Sequence, residues 1–261
     1  MNIQILASTE GEIRMVADSL TPQFANALRR IMMNEIPILA IDTVDFNSND
    51  SVMYDEILAH RLGLLPLKFD SKAFNLTSEC TCEGKGCSNC QIVFVLDKKG
   101  PCMVYAKDLK SADSKAASPL YPETPIVELF EGQRLKFEAV AVLGFGGRHA
   151  KYQAARSFYR YYPVLEQKGK IENPEEVMKA CPQRGIVFED GKARIGFECD
   201  LSCRADKIAK PEGSLKLSGD PTRFIFNIES ISALSSQEIF LSALGILRKK
   251  SKDFGKAVGK L

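Results

Sequence analysis

Four of the eight cysteines stand within eleven residues, as Cys80-x-Cys82-x4-Cys87-x2-Cys90. Thiolates packed that densely suit a soft divalent ion, and zinc takes a tetrahedron of sulfurs at about 2.3 Å. Gly84 and Gly86 lie between the two pairs, where a short loop needs sharp turns to wrap one ion. The Cys87-x-x-Cys90 half has the common knuckle spacing and the Cys80-x-Cys82 half a rarer one. Protein fills all four positions, the pattern of a structural site rather than a catalytic one. Zinc is the expected occupant. A pair of disulfides or free thiols is the alternative, and the spacing suits an iron–sulfur cluster less well.

Cys181-Pro182, Cys199 and Cys203 form a second, looser set. Cys-Pro ends some ferredoxin cluster motifs, but a cluster also wants a Cys-x2-Cys-x2-Cys run, and residues 199–206 supply only Cys199-x3-Cys203. Buried or unpaired cysteines are expected there, with no cluster. His60 and His149 are the two histidines. No His-Glu-x-x-His motif is present, and the glycines around residue 146 lack the Gly-Lys-Ser/Thr of a phosphate loop. Both histidines are expected to be structural hydrogen-bonders. No nucleophile, base and orienting group can be grouped, so no catalytic site is expected. Arg29-Arg30 suits a partner's carboxylates, or is simply solvated.

The elements that must position these residues follow from periodicity. Residues 2–6 and 12–18 alternate as strands about the Thr9-Glu10-Gly11 turn. Thr21 caps a helix with Pro22 at its first position, and Phe24, Leu28, Ile31 and Met32 form one apolar stripe. Pro37 ends it. Residues 38–46 predict a strand and 54–62 a short helix stopped by Pro66. A strand at 91–96 follows the cysteines, with 102–106 as its expected neighbour and 107–124 as a surface loop. Residues 133–143 alternate most clearly, with Leu135, Phe137, Ala139, Ala141 and Leu143 on one face. A short helix is expected at 176–180. Asp190-Gly191 predicts a hairpin, and 223–229 a strand.

Ser235 and Glu238 form a capping box opening the last helix. Phe240, Leu244, Leu247, Ser251, Phe254, Val258 and Leu261 then recur with a 3.5-residue period. Gly245, Gly255 and Gly259 weaken that helix by about 1 kcal/mol each against alanine. A seam of this kind faces either a partner helix or the chain's own domain.

Composition narrows the function classes. Lys and Arg total 35 and Asp and Glu 33, a net charge of +2 that argues against a whole-surface nucleic-acid binder. With 45% hydrophobic and 26% charged residues the chain is globular in type. The longest apolar run, nine residues from Ala139, is too short to span a bilayer. No secretory signal is visible at the N-terminus, so an intracellular protein is expected, where clustered cysteines favour metal over disulfides.

Three longer stretches carry a resemblance: Phe24-Ala25-Asn26-Ala27-Leu28-Arg29-Arg30, Ile36-Pro37-Ile38-Leu39-Ala40-Ile41-Asp42, and Tyr54 through Leu67. With Val104 to Leu109 and Gly147-Arg148-His149-Ala150-Lys151, they resemble the D-subunit family of archaeal RNA polymerase, in the right order over nearly the whole chain. That family is related to the third subunit of eukaryotic RNA polymerase II and the bacterial alpha N-terminal domain.

The resemblance implies an α+β fold with a split dimerisation domain, a sheet plus two helices, at 1–40, 156–164 and 221–261. It also implies a β-rich assembly domain at 41–155 carrying the cysteine loop, whose spacing is similar to the zinc loop of the eukaryotic relatives. A small ferredoxin-like insertion is implied at 165–220, with Cys181, Cys199 and Cys203 as vestigial ligands lacking their cluster.

The implied role is an assembly platform that pairs with subunit L and recruits subunits N and P and the large catalytic subunits. Nucleic acid is then met only through the assembled, cytoplasmic enzyme, and no membrane is involved. Phe24, Leu28, Ile31, Met32, Phe240, Leu244, Leu247, Phe254, Val258 and Leu261 are the expected dimer interface, and Arg29, Arg30, His60 and Arg61 the expected large-subunit contacts. The rival class is an iron–sulfur electron-transfer or redox-sensing protein, which requires clusters in both cysteine groups.

Overall fold

A threonine cap starts the first helix, with the Phe24 amide donating to Thr21 Oγ1 over 3.3 Å. The chain, a computed structural model, is described for residues 2–111, 117–181, 183, 185–196, 199 and 201–259. Its elements run β1 (Asn2–Ser8), β2 (Glu12–Asp18), α1 (Pro22–Asn34), β3 (Pro37–Asn49), α2 (Asp55–Gly63), β4 (Leu67–Phe69), β5 (Gln91–Lys99), β6 (Cys102–Tyr105) and β7 (Lys110–Ser111). They continue through β8 (Ala117–Pro119), β9 (Pro125–Leu129), β10 (Arg134–Phe145), β11 (Ala155–Gln167), α3 (Pro174–Lys179), β12 (Ile186–Glu189), β13 (Lys192–Ile195), α4 (Ala205–Ile208), β14 (Leu215–Ser230) and α5 (Ser236–Val258). The α+β expectation holds: the sheets are mostly antiparallel and the helices few.

The chain divides into two compact units. The first combines Met1–Arg29 with Ser157–Ile228. Its sheet has the order β1-β2-β14-β11. Ile13, Met15 and Ala17 on β2 and Phe224, Phe226 and Ile228 on β14 are buried. Tyr159 on β11 packs edge-on to Phe224 with ring centroids 5.5 Å apart. Arg223 ties β14 to β2 by donating to Asp18 Oδ1 over 2.7 Å. Between β11 and β14 lies a small module, in which α3, the β12–β13 hairpin and α4 surround Ile171, Val177, Cys181, Ile186, Cys199 and Cys203. Asp190 and Gly191 both have positive φ, the turn that Asp-Gly predicts. The flanking strands reach Gln167 and start at Leu215, so β11 and β14 extend into the 165–220 segment.

The second unit combines Arg30–Arg156 with Glu229–Leu261. β10 is its spine, pairing antiparallel with β3 along one edge and β5 along the other. Leu135, Phe137, Ala139 and Ala141 all point into a core shared with Phe94, Leu58, Leu62 and Val104. Residues 102–106 do not neighbour 91–96: β6 pairs with β9, and β5 takes β10 and β7 instead. A cis Gly100-Pro101 bond separates β5 from β6. Nor is 107–124 one loop, because its described residues include β7 and β8.

The turn after β10 is locked by a half-buried polar cluster. Lys151 Nζ donates to Asp42 Oδ1 at 2.8 Å and to the Ile41 carbonyl at 2.9 Å, and the Tyr152 hydroxyl donates to the same Asp42 oxygen at 2.9 Å. Tyr152 lies so close over Gly144 that a β-carbon there would sit 2.6 Å from its ring. Burial pushes the Asp42 carboxyl up, but the bonds from Lys151 and Tyr152 outweigh it and hold it below its ordinary 3.8. A depressed carboxylate stabilises the fold above its unfolded value and loses that contribution as pH falls through the folded one. Asp42→Ala is therefore expected to cost about 1–3 kcal/mol at neutral pH, by leaving the Tyr152 hydroxyl without this acceptor and Lys151 without its carboxylate partner. In urea titrations the gap between wild type and variant should narrow below pH 3.8.

Candidate metal centres

The first cysteine group fills the connection between a 3-10 turn at Thr77–Glu79 and β5. Cys80 and Cys90 are buried, Cys82 and Cys87 half-buried. Left-handed backbone at Glu83, Gly84 and Gly86 coils the loop back on itself. Gly86 is also pressed against Gln91, where a β-carbon would meet Oε1 at 2.5 Å. The Cys87–Cys90 half closes as a knuckle: the Cys90 amide donates to the Cys87 carbonyl at 3.0 Å, and the Cys87 amide to Cys90 Sγ at 3.3 Å.

Sulfur separations are 3.5 Å for Cys80–Cys87, 3.6 Å for Cys82–Cys90 and 3.8 Å for Cys87–Cys90. All four sulfurs lie within 4.8 Å of one another. A tetrahedron with about 2.3 Å metal–sulfur bonds has edges of about 3.8 Å, so these donors fit one zinc-sized ion. They are too far apart for the ~2.05 Å bond of a disulfide. Hydrogen bonds from neighbouring thiols, Cys80 first, hold Cys82 down to about 6, while burial pushes Cys90 up to about 12. Four soft donors of unequal acidity around one point constitute a site that a cation completes.

The second group is built by the small module. Cys181 follows α3, and Cys199 and Cys203 precede α4. All three are buried, and their sulfurs lie within 4.8 Å of one another. The sequence singles these three out as a looser set, and the structure brings their sulfurs together. The β12–β13 hairpin lies between Cys181 and Cys199 in the chain, and Gly185 lets the backbone at Cys199 approach; a β-carbon there would sit 2.9 Å from the Cys199 amide nitrogen. Burial raises Cys199, with Cys181 adding to the rise and a hydrogen bond from Cys203 opposing it, and burial pushes Cys203 up to about 12, with Cys199 and Cys181 adding to the effect. Such thiols stay neutral until something positive displaces their protons.

The comparisons with known proteins bear on the whole chain. The RNA polymerase Rpb3/RpoA insert domain matches residues 40–159. Subunit Rpo3 of the DNA-directed RNA polymerase of Methanosphaera stadtmanae is 37% identical over 261 residues, covering 96% of either chain. Rpo3 of Archaeoglobus fulgidus is 36% identical, over 98% of this chain and 97% of its own. Rpo3 of Methanothermobacter thermautotrophicus is 37% identical, over 97% of both. The chain belongs to the Rpo3 family of DNA-directed RNA polymerase subunits. This is the archaeal D-subunit family that the motifs resemble, and its members are parts of a nucleotidyltransferase complex.

Within an Rpo3 chain the remaining expected site residues take varied places. Leu28, Ile31, Met32 and Phe240 are buried within this chain, and Phe24 is half-buried. Leu244 and Leu247 are half-buried, whereas Phe254 and Val258 stand out at 73% and 49% exposure. Leu261 lies outside the described residues. Leu241, off the heptad seam, is 66% exposed, and sequence reasoning missed it. Arg29 is held by Asn26 Oδ1 at 3.1 Å, Arg30 is exposed, and Arg61 donates to the Pro125 carbonyl at 2.9 Å. His60 is exposed on α2, and His149 Nδ1 accepts from the Lys151 amide at 3.1 Å, a structural cap. No helix among the described residues is long and apolar enough to cross a membrane.

Cys87→Ser is expected to lower the zinc held by the purified chain by one ion and to weaken that site by more than about 100-fold, since loss of a mere outer partner costs 10–100-fold. Elemental analysis and chelator competition measure both.

Proposed function

We propose that this chain is a non-catalytic assembly platform of an archaeal DNA-directed RNA polymerase, pairing with an L-type subunit and recruiting N, P and the large catalytic subunits in the cytoplasm. One observation carries the reading. Every residue from Arg248 to Gly259 on the last helix is exposed, with Phe254 and Val258 among them. A Lys250–Glu35 ion pair at 2.6 Å ties this stretch to its own unit. Surface ion pairs contribute little, and a bare helix carrying Gly255 is marginal in water by itself. An apolar seam of this length is stable when a second helix covers it.

Arg29, Arg30, His60 and Arg61 are proposed to face the large subunits; three of the four are exposed. Nucleic acid is met only through the assembled enzyme. The four-thiolate loop holds zinc as a staple between the Thr77–Glu79 turn and β5. The buried triad of Cys181, Cys199 and Cys203 takes a second thiophilic ion, consistent with three soft donors converging on one point.

The test is co-expression with the L-type partner. Wild type is expected to co-purify as a one-to-one pair, and Phe254→Asp or Leu247→Asp to lose the partner, because each would bury an unpaired carboxylate. Phe240 is unsuitable for this test, since its side chain is already in the core. Undiminished co-purification of both aspartate variants would refute the platform reading.

A further inference from the structure

We propose that the outer edge of β1 is a self-pairing surface, on which β1 of a second copy of this chain adds as an antiparallel strand about Gln4. The proposal goes beyond the platform reading and does not depend on it.

The two four-stranded sheets have the orders β1-β2-β14-β11 and β3-β10-β5-β7, so β1, β11, β3 and β7 are their outer strands. An outer strand presents a row of unpaired amides and carbonyls, and natural sheets guard such edges with charge or proline. β11 has Arg156, Arg160, Pro163 and Glu166, β3 has Pro37, Asp42 and Asp45, and β7 has Lys110. β1, with the sequence Asn-Ile-Gln-Ile-Leu-Ala-Ser, has neither charge nor proline. On it Ile3 and Ile5 are 38% and 56% exposed. In the register with β2, Ile3 stands opposite Ala17 and Ile5 opposite Met15, both of them buried. Directly opposed residues share a face, so a buried apolar row continues onto β1 and is left open there.

The pattern of β1 selects the occupant. Ile3-Gln4-Ile5 reads the same in both directions. An antiparallel copy centred on Gln4 sets Ile3 opposite the partner's Ile5, Gln4 opposite the partner's Gln4, and Asn2 opposite the partner's Leu6. Apolar groups then meet apolar groups on one face, and amides meet on the other. The register with β2 shifts between Ile5 and Ala7, and such a bulge bends the strand beyond it. That leaves Asn2–Leu6 for pairing, the same span that a two-fold axis at Gln4 uses. No like charges meet across the pair, and a partner recognised by charge finds none on this strand to read. Two short strands make a small contact, so the pairing belongs to the weak, concentration-dependent class.

Sedimentation of the full chain over about a hundredfold range of concentration tests this. Wild type is expected to show a reversible monomer–dimer equilibrium. Ile3→Lys and Ile5→Glu, both at exposed positions, should each weaken it about tenfold with little change in thermal unfolding, because each removes two cross-strand apolar pairs. The double variant Ile3→Lys/Ile5→Glu should recover most of the loss, since the antiparallel register sets each lysine across from a glutamate. Should a single variant fail to fold, Gln4→Lys, which brings like charges together on the axis, makes the same test. A wild type that stays monomeric throughout overturns the proposal. So does a dimer that the single variants leave intact, because the contact then lies elsewhere. A double variant no better than the singles overturns the register and with it the proposal. Loss of the L-type subunit by Ile3→Lys on co-expression would give the edge to that partner and also overturn it, while the platform reading would stand. Phe254→Asp tests that reading separately, since it lies on α5 and leaves β1 untouched.

Discussion

Backbone pairing of β10 on both of its edges is the constraint from which most of the second unit follows. A strand flanked by β3 and β5 has its amides and carbonyls satisfied within the sheet. One of its faces can then be wholly apolar, and Leu135 through Ala141 use it to build the core. β5 is held in that register immediately after Cys90, so the cysteine loop is anchored at its exit by the sheet itself. At the other end of β10, Gly144 gives Tyr152 room to lie flat, and Tyr152 reaches Asp42 on β3. Loop and polar cluster are thus two consequences of one strand's position.

The two thiol groups express the same chemistry in different settings. In the first, left-handed residues and a knuckle turn bring four sulfurs together within a single short loop, a local solution that needs little from the rest of the chain. In the second, a hairpin and two short helices bring three sulfurs from distant positions into a small core of their own. Burial without a cation penalises the thiolate in both, most at Cys90 and Cys203. An ion in either place would replace that penalty with metal–sulfur bonds, and in so small a module its binding energy would be folding energy.

Membership of the Rpo3 family gives these features a shared context. The interior of the chain is devoted to rigid sheets and closed cysteine loops, with no grouping of nucleophile and base among the described residues. Open to solvent among the described residues are Phe254 and Val258 on the last helix and the basic side chains of Arg30, His60 and Arg61. Burial inside the chain also sharpens that surface. Leu28, Ile31, Met32 and Phe240 serve the chain's own core, and of the described seam residues Phe254 and Val258, toward the far end of α5, are the exposed ones.

Much of this was legible in residue order because it is local. The Ser235–Glu238 capping box, the Asp190-Gly191 turn, the Thr21 cap and the alternation of Leu135 to Leu143 depend on neighbours a few positions away, and each element lies where its pattern indicates. The four-cysteine loop belongs with them, since its ligands are neighbours in the chain. Tertiary structure alone decided which strands pair: β6 has a strand's composition, but its partner is β9 and not adjacent β5. The second cysteine set was named from sequence, but only tertiary structure showed that its three sulfurs meet and that Arg160 reaches the Cys199 carbonyl. A stripe on a helix also cannot say whose core it fills, because a hydrophobic face is satisfied equally by its own sheet or by another chain, and only the packed structure shows which residues are already covered.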